Sequence, residues 1–154
     1  MDKIERIASF RVNHDKLVEG IYVSRVDSDV TTYDLRTRRP NRGDYMSNLA
    51  MHSVEHMFAT YVRSSRIAER VIYFGPMGCQ TGFYLLVRDA DNGEVLEVVK
   101  DVLTRIVSHE GEMFGQSAVE CGNYKNLDLD VAKAECARYL LHLTSREQTF
   151  IYET

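Results

Sequence analysis

Two runs rich in β-branched residues and tyrosine, Gly20 to Val26 and Val30 to Arg36, lie on either side of Asp27-Ser28-Asp29. A short polar turn between two such runs reads as an antiparallel hairpin. Such a hairpin must bury one face, and the apolar periodicities that follow supply the cover. Ser47 can cap a helix in which Ala50, Val54, Met57, Phe58, Tyr61 and Val62 recur at helical spacing, running to about Arg70. Val95, Val99, Val102, Leu103 and Ile106 stripe a second helix from about Glu94 to Ser108, and a third runs from about Leu129 to Leu143. Val71 to Phe74 and Phe83 to Val87 read as short strands, and Ile7 to Val12 alternates loosely enough to read as another. The breaker-rich stretches from Arg38 to Asp44 and from Gly75 to Gly82 are loops, and Glu110 to Asn126 is irregular. The expected architecture is therefore α+β, an antiparallel β-sheet with helices packed on one face. The length of 154 residues fits a single domain spanning 1–154.

Composition narrows the function. Lys plus Arg is 19 and Asp plus Glu is 23, a net charge of −4, which argues against a dedicated nucleic-acid binder with its clustered basic face. No apolar run reaches the roughly 20 residues of a membrane span, so no membrane is expected. The start, Met1 to Arg6, carries both charge signs and leads into no apolar signal core. With three cysteines as well, a reducing cytoplasm is the expected location.

His52-Ser53-Val54-Glu55-His56 is the most informative segment. Side chains four apart lie on one side of a helix, so both imidazoles can converge on one metal ion. The histidines point away from the core stripe, toward a side that also carries Leu49, Ala59 and Thr60, too apolar for open solvent. A second surface is expected to cover it. The third ligand is open among His14, His109, His142 and the cysteines. Cys136 shares a helix face with Leu129, Ala132, Leu140 and Leu143 and reads as core, whereas Cys121 lies in a loop that can bring a thiolate to a metal. Two nitrogens and one sulfur would leave a position open, as in catalytic sites. Cys79, in a glycine-flanked loop between apolar strands, is either a functional thiol or a solvated loop residue.

Taken in order, the motifs resemble S-ribosylhomocysteine lyase, the family that makes the precursor of autoinducer-2. They are Ser9-Phe10 with His14, Tyr33-Asp34-Leu35-Arg36, Arg39-Pro40-Asn41, His52 to His56, Gly75 to Tyr84 with Pro76-Met77-Gly78-Cys79 inside it, and Cys121-Gly122-Asn123-Tyr124. The resemblance implies His52, His56 and Cys121 as metal ligands, with one divalent ion per subunit, ferrous iron natively and zinc or cobalt able to substitute. It implies Glu55 and Cys79 as the general acid/base pair, and Ser9, His14, Arg36, Arg63 and Tyr84 as substrate-binding residues. The implied reaction cleaves S-ribosylhomocysteine to homocysteine and 4,5-dihydroxy-2,3-pentanedione, by carbonyl migration through enediolates and β-elimination. An obligate homodimer with sites at the interface is implied too, which would cover the histidine face. Three stretches depart from the family's usual pattern. Thr37-Arg38 replaces Phe-Cys, Tyr73-Phe74-Gly75 stands where an acidic and a small polar residue are usual, and Thr32 replaces a basic residue. Two rivals have sequence support: a small metallopeptidase, in which Cys79 has no role, and a structural metal site closed by Cys79 or His14.

Overall fold

The computed structural model describes residues 3–154, so Met1 and Asp2 of the charged N-terminal stretch lie outside the described residues. The hairpin forms as expected: β1 (Gly20–Asp27) pairs antiparallel with β2 (Val30–Arg36), Val30 opposite Asp27. Ser28 takes the turn with φ +57°. β3 (Val71–Pro76) and β4 (Gly82–Arg88) complete a four-stranded antiparallel sheet in the order β1-β2-β4-β3. Three helices follow the predicted stripes: α1 (Asn48–Val62), α2 (Asn92–Val107) and α3 (Leu129–Thr144). Each is capped by a side chain, since Ser47, Asp91 and Asp128 accept from the amides of Ala50, Glu94 and Val131. The chain is α+β, as the periodicities require. No helix among the described residues is long and apolar enough to cross a membrane.

Strand alternation divides the sheet into two unlike faces. Ile21, Tyr33, Leu35, Phe83, Leu85 and Val87 join one buried cluster with Val54, Phe58, Val99, Leu103, Ala132 and Leu143 from the three helices. Their neighbours Tyr22, Asp34, Arg36 and Tyr84 point the other way. Asp34 and Arg36 are nevertheless buried, at 1% and 3% exposure. Gly82 lets β4 approach this pair closely, because a Cβ there would lie 2.6 Å from the Leu35 carbonyl oxygen.

Two expectations are corrected. Ile7 to Val12 is not a strand: Ala8–Arg11 is a 3₁₀ turn, with Ile7 and Phe10 exposed. The open edge of β1 is met by Phe150, whose carbonyl accepts from the Val23 amide, so the N-terminal stretch finds no strand partner there. Helix α1 ends at Val62 instead of about Arg70. Ser65 Oγ donates to the Val62 carbonyl at 2.6 Å and Ser64 Oγ to that of Thr60 at 3.3 Å, and hydroxyls competing for the last carbonyls favour a turn. A 3₁₀ turn at Ala68–Arg70 then leads into β3.

Candidate metal centre and thiol pocket

α1 carries His52 and His56 on one side, one turn apart, with ring centroids 4.6 Å apart. The irregular segment after α2 folds back over that side. There Cys121 Sγ comes to 3.4 Å from His52 Nε2, and the ligand atoms of His52, His56 and Cys121 all lie within 4.8 Å of one another. Tetrahedral bonds of about 2.0–2.3 Å separate ligand atoms by roughly 3.3–3.8 Å, so this group needs little movement to close on an ion.

The surroundings fix the histidines for that task. His52 Nδ1 lies 2.7 Å from the Asn126 carbonyl oxygen and His56 Nδ1 2.9 Å from that of Phe114. A carbonyl only accepts, so both Nδ1 atoms carry the proton and both Nε2 lone pairs are free for a metal. The Asn123 amide donates to Cys121 Sγ at 3.4 Å. Gly115, with φ +69°, keeps the loop against His56, where a Cβ would come within 2.8 Å of Nδ1. Phe114 is held by edge contacts with Tyr61 and His109.

The other histidines considered as third ligand are engaged elsewhere. His109 Nε2 donates to the Glu112 carbonyl and its Nδ1 accepts from Tyr61, while His142 faces Glu19 at 3.3 Å. Cys136 is core, with 1% exposure, and burial pushes its thiol well up. Among the described residues, the group that could hold a metal contains three protein ligands, a donor set of two imidazoles and one thiolate with room for a fourth. That set fits a divalent transition metal. Glu55, half-buried, directly precedes His56, and its carboxylate makes no hydrogen bond or ion pair with any described residue.

A second group assembles around Cys79. The turn between β3 and β4 leaves Cys79 exposed, with Gln80 at φ +66° and the Met77 amide donating to the Gly82 carbonyl. Cys79 and Thr81 border a cavity of about 280 Å³ with His14, Pro40, Asn41 and Tyr45. Cys79 Sγ lies 3.0 Å from Thr81 Oγ1, and Arg36 Nη1 reaches Thr81 Oγ1 at 2.8 Å and Sγ at 3.8 Å. Arg36 is held by Asp34 through a two-pronged pair of 3.1 and 2.6 Å. Burial works against the Arg36 charge, but Asp34 outweighs it and raises the guanidinium further. Tyr84 is pushed up by burial, and the Ser9 side chain stands within hydrogen-bonding reach of its hydroxyl.

Ser9, His14, Arg36, Cys79 and Tyr84 thus surround one region, and His52, His56 and Cys121 another. Among the described residues, no hydrogen bond or ion pair joins the two. Arg63 contacts neither: it caps α1 and its guanidinium faces the Val71 and Ile72 carbonyls at 3.4 and 3.5 Å. Sequence reasoning missed Asp34 and Thr81. Asp34 was legible, since residues two apart on a strand share a face. The Phe114 and Asn126 carbonyls that orient the histidines carry no side-chain signal at all.

The S-ribosylhomocysteinase (LuxS) family model matches residues 7–150, which take in both groups. The chain belongs to this family. Relatives run nearly end to end with it. The S-ribosylhomocysteine lyase of Finegoldia magna is 44% identical, with 99% of each chain covered. That of Desulfotalea psychrophila is 42% identical over 88% of this chain and 89% of the relative. That of Borreliella burgdorferi is 40% identical over 97% and 99%. As a member of the family the chain is an enzyme, a carbon–sulfur lyase. This agrees with the three-ligand metal group and leaves the metallopeptidase rival without support.

Proposed function

We propose that this lyase cleaves S-ribosylhomocysteine to homocysteine and 4,5-dihydroxy-2,3-pentanedione, with Glu55 and Cys79 moving the protons. The observation that carries this is the gathering of His52, His56 and Cys121 beside Glu55 in a chain matched by the family model over 7–150. A divalent metal held by those three residues, ferrous iron in our reading, supplies Lewis acidity toward oxygens that become negative during the reaction.

The thioether sulfur sits on C5 of the sugar, too far from the C1 aldehyde for direct elimination. Glu55 and Cys79 solve this by taking a proton from the carbon beside the carbonyl and returning one to the former carbonyl carbon. One such exchange moves the carbonyl from C1 to C2 and a second moves it to C3. Removal of the C4 proton then expels the homocysteine thiolate from C5, which picks up a proton on leaving. No electron is gained or lost overall. The Arg36 guanidinium, at 3.8 Å from Cys79 Sγ, puts a positive charge beside this base. Ser9, His14 and Tyr84 offer hydroxyl and imidazole groups to the sugar and amino-acid ends, and Arg63, which contacts neither group within one chain, is a further anchor across the dimer. His14 Nδ1 donates to the Val12 carbonyl at 2.9 Å, which leaves Nε2 to accept from substrate.

We further read the working form as a homodimer in which one chain's metal group faces the partner's Cys79 pocket. The separation of the two groups within one chain supports this, as do the exposed apolar side chains Ile4, Ile7 and Phe10 on the N-terminal stretch. Mixing Cys121→Ala and Cys79→Ala chains tests it. Random reassembly gives half mixed dimers, each with one intact composite site of two, so about a quarter of wild-type activity returns. If each chain carries a whole site, mixing restores nothing. We place the enzyme in the cytoplasm, where its three free cysteines stay reduced. Its product serves autoinducer signalling, quorum sensing, and its homocysteine serves the methyl cycle.

The deciding experiment is anaerobic. Iron-loaded protein is given S-ribosylhomocysteine and the thiol of released homocysteine is followed, with Cys79→Ala and Glu55→Ala alongside. Release by the wild type and loss in both variants is the expected result. No release from the metal-loaded wild type would overturn the assignment and turn attention to Tyr73-Phe74-Gly75 as the site of a different substrate preference.

A further inference from the structure

The last residues of the chain reach the thiol pocket from behind. Phe150, at φ +66°, accepts from the Val23 amide at 2.9 Å and turns the chain over the polar face of the sheet. Tyr152 then stacks on Tyr22, with centroids 4.9 Å apart and planes 12° from parallel. Its hydroxyl donates to Asp34 Oδ2 at 2.7 Å. The same carboxylate receives Nε and Nη2 of Arg36, and the remaining Nη1 of Arg36 faces Thr81 and Cys79. An unbroken line of contacts therefore runs from Tyr152 through Asp34 and Arg36 to Cys79 Sγ. Tyr152 lies beyond residue 150, where the match to the family model ends.

We propose that Tyr152 is a positioning residue for the reaction, its hydroxyl holding Asp34 so that Arg36 presents its free edge to Cys79. The inference rests on the reading of Cys79 as a reactive thiol. A carboxylate has about four acceptor sites, and the guanidinium fork uses two of them. Asp34 is sealed from water, so a site left empty cannot be filled without cost, and the carboxylate turns to recover a donor. The guanidinium, bound through two N–H groups, turns with it and leaves Sγ. Burial, reinforced by the Asp34 charge, raises the Tyr152 phenol far above neutral pH, so it remains a donor.

The test uses the full chain and the variant Tyr152→Phe, which keeps the ring on Tyr22 and removes only the hydroxyl. The first readout needs neither metal nor substrate: the rate at which iodoacetamide alkylates Cys79, followed on the Cys79 peptide by mass spectrometry. The second is kcat and KM for thiol release. Lys16→Met is the control, because it cuts another tie of this segment, Lys16 Nζ to the Thr154 carbonyl, without touching Asp34. Alkylation should slow about 3- to 10-fold in Tyr152→Phe, the scale of one lost hydrogen bond. Lys16→Met should match wild type, and kcat should fall with KM unchanged. Equal alkylation rates in wild type and Tyr152→Phe would overturn the proposal even if the lyase activity is sound. Equal slowing in Lys16→Met would also overturn it, since packing of the segment and not the hydroxyl would then be responsible. Slow alkylation in Tyr152→Phe alone, with no thiol release by the wild type, would uphold the positioning and overturn the lyase assignment.

Discussion

The metal group and the thiol pocket are built in opposite ways. The metal group rests on a single helix: two of its three ligands are one turn apart on α1, and one loop brings Cys121 and both orienting carbonyls. The thiol pocket draws on the N-terminal stretch, β2, the turn after β3, β4 and the last residues of the chain. A site anchored on one helix survives small shifts of the fold, whereas one pinned across a sheet depends on strand register. A slip of one residue between β2 and β4 would send Arg36 to the face of the helices.

Perturbations of either group should therefore separate cleanly. The largest effect is expected from Cys121→Ala. Losing one of the three residues proposed to hold the metal would remove a Lewis-acid contribution of several kcal/mol, so kcat/KM should fall about 10³-fold or more. Metal retained after dialysis should drop with it, while Cys79 alkylation, compared in the metal-free proteins, stays at the wild-type rate. A change in that alkylation would mean that the two groups are coupled, within one chain or across the dimer. Glu55→Gln keeps the shape and removes the carboxylate proposed to move protons. Its activity should fall about 10²–10⁴-fold, with metal content by elemental analysis unchanged.

Arg36→Met strands Asp34 as an unpaired charge at 1% exposure. Urea titration should show a loss of about 3–5 kcal/mol, with metal binding intact in the folded fraction. A loss below about 1 kcal/mol would mean that the pair is solvated and the polar face open. Gly115→Ala places a methyl against His56 at a backbone angle of +69°. Its metal affinity, by competition with a chelator, should weaken about 10–100-fold, the scale for disturbing a ligand's orienting bond.

The smallest effect is expected away from both groups. Asp44 pairs with Arg138 at 2.7 Å and with Arg38. Burial pushes its pKa up, but the two arginines together outweigh this and hold the carboxyl below its ordinary value. A depressed carboxylate contributes stability that is present above its unfolded pKa, about 3.9, and lost as pH falls through the folded value. Asp44→Asn should thus cost less than about 1 kcal/mol at pH 7, because the group is 44% exposed, and the two proteins should converge in acid. A gap that persists at low pH would point to lost packing instead of lost charge.

The departures of the fold from its sequence reading have a common cause. Ile7 to Val12 alternates like a strand, yet Phe150 reaches the β1 edge, a competition between segments far apart in sequence. Helix α1 was legible from cap to stripe, but its end depended on whether Ser64 and Ser65 would take backbone carbonyls, a choice that local spacing leaves open. Arg38 is tied to Asp44 and to Glu135 on α3, and nothing in the sequence announces that pairing.

By itself the sequence determined the α+β class, the hairpin, the three amphipathic helices and the His52–His56 pair, because each follows from a local period. Only the tertiary structure brought Cys121 against the histidines, decided which carbonyls orient them, and set Tyr152 behind Asp34. Those contacts join residues 58 to 118 positions apart, and no periodicity reports on such distances. The physical reason is that burial is shared along an element, while a hydrogen bond is settled between two particular atoms once every element has docked.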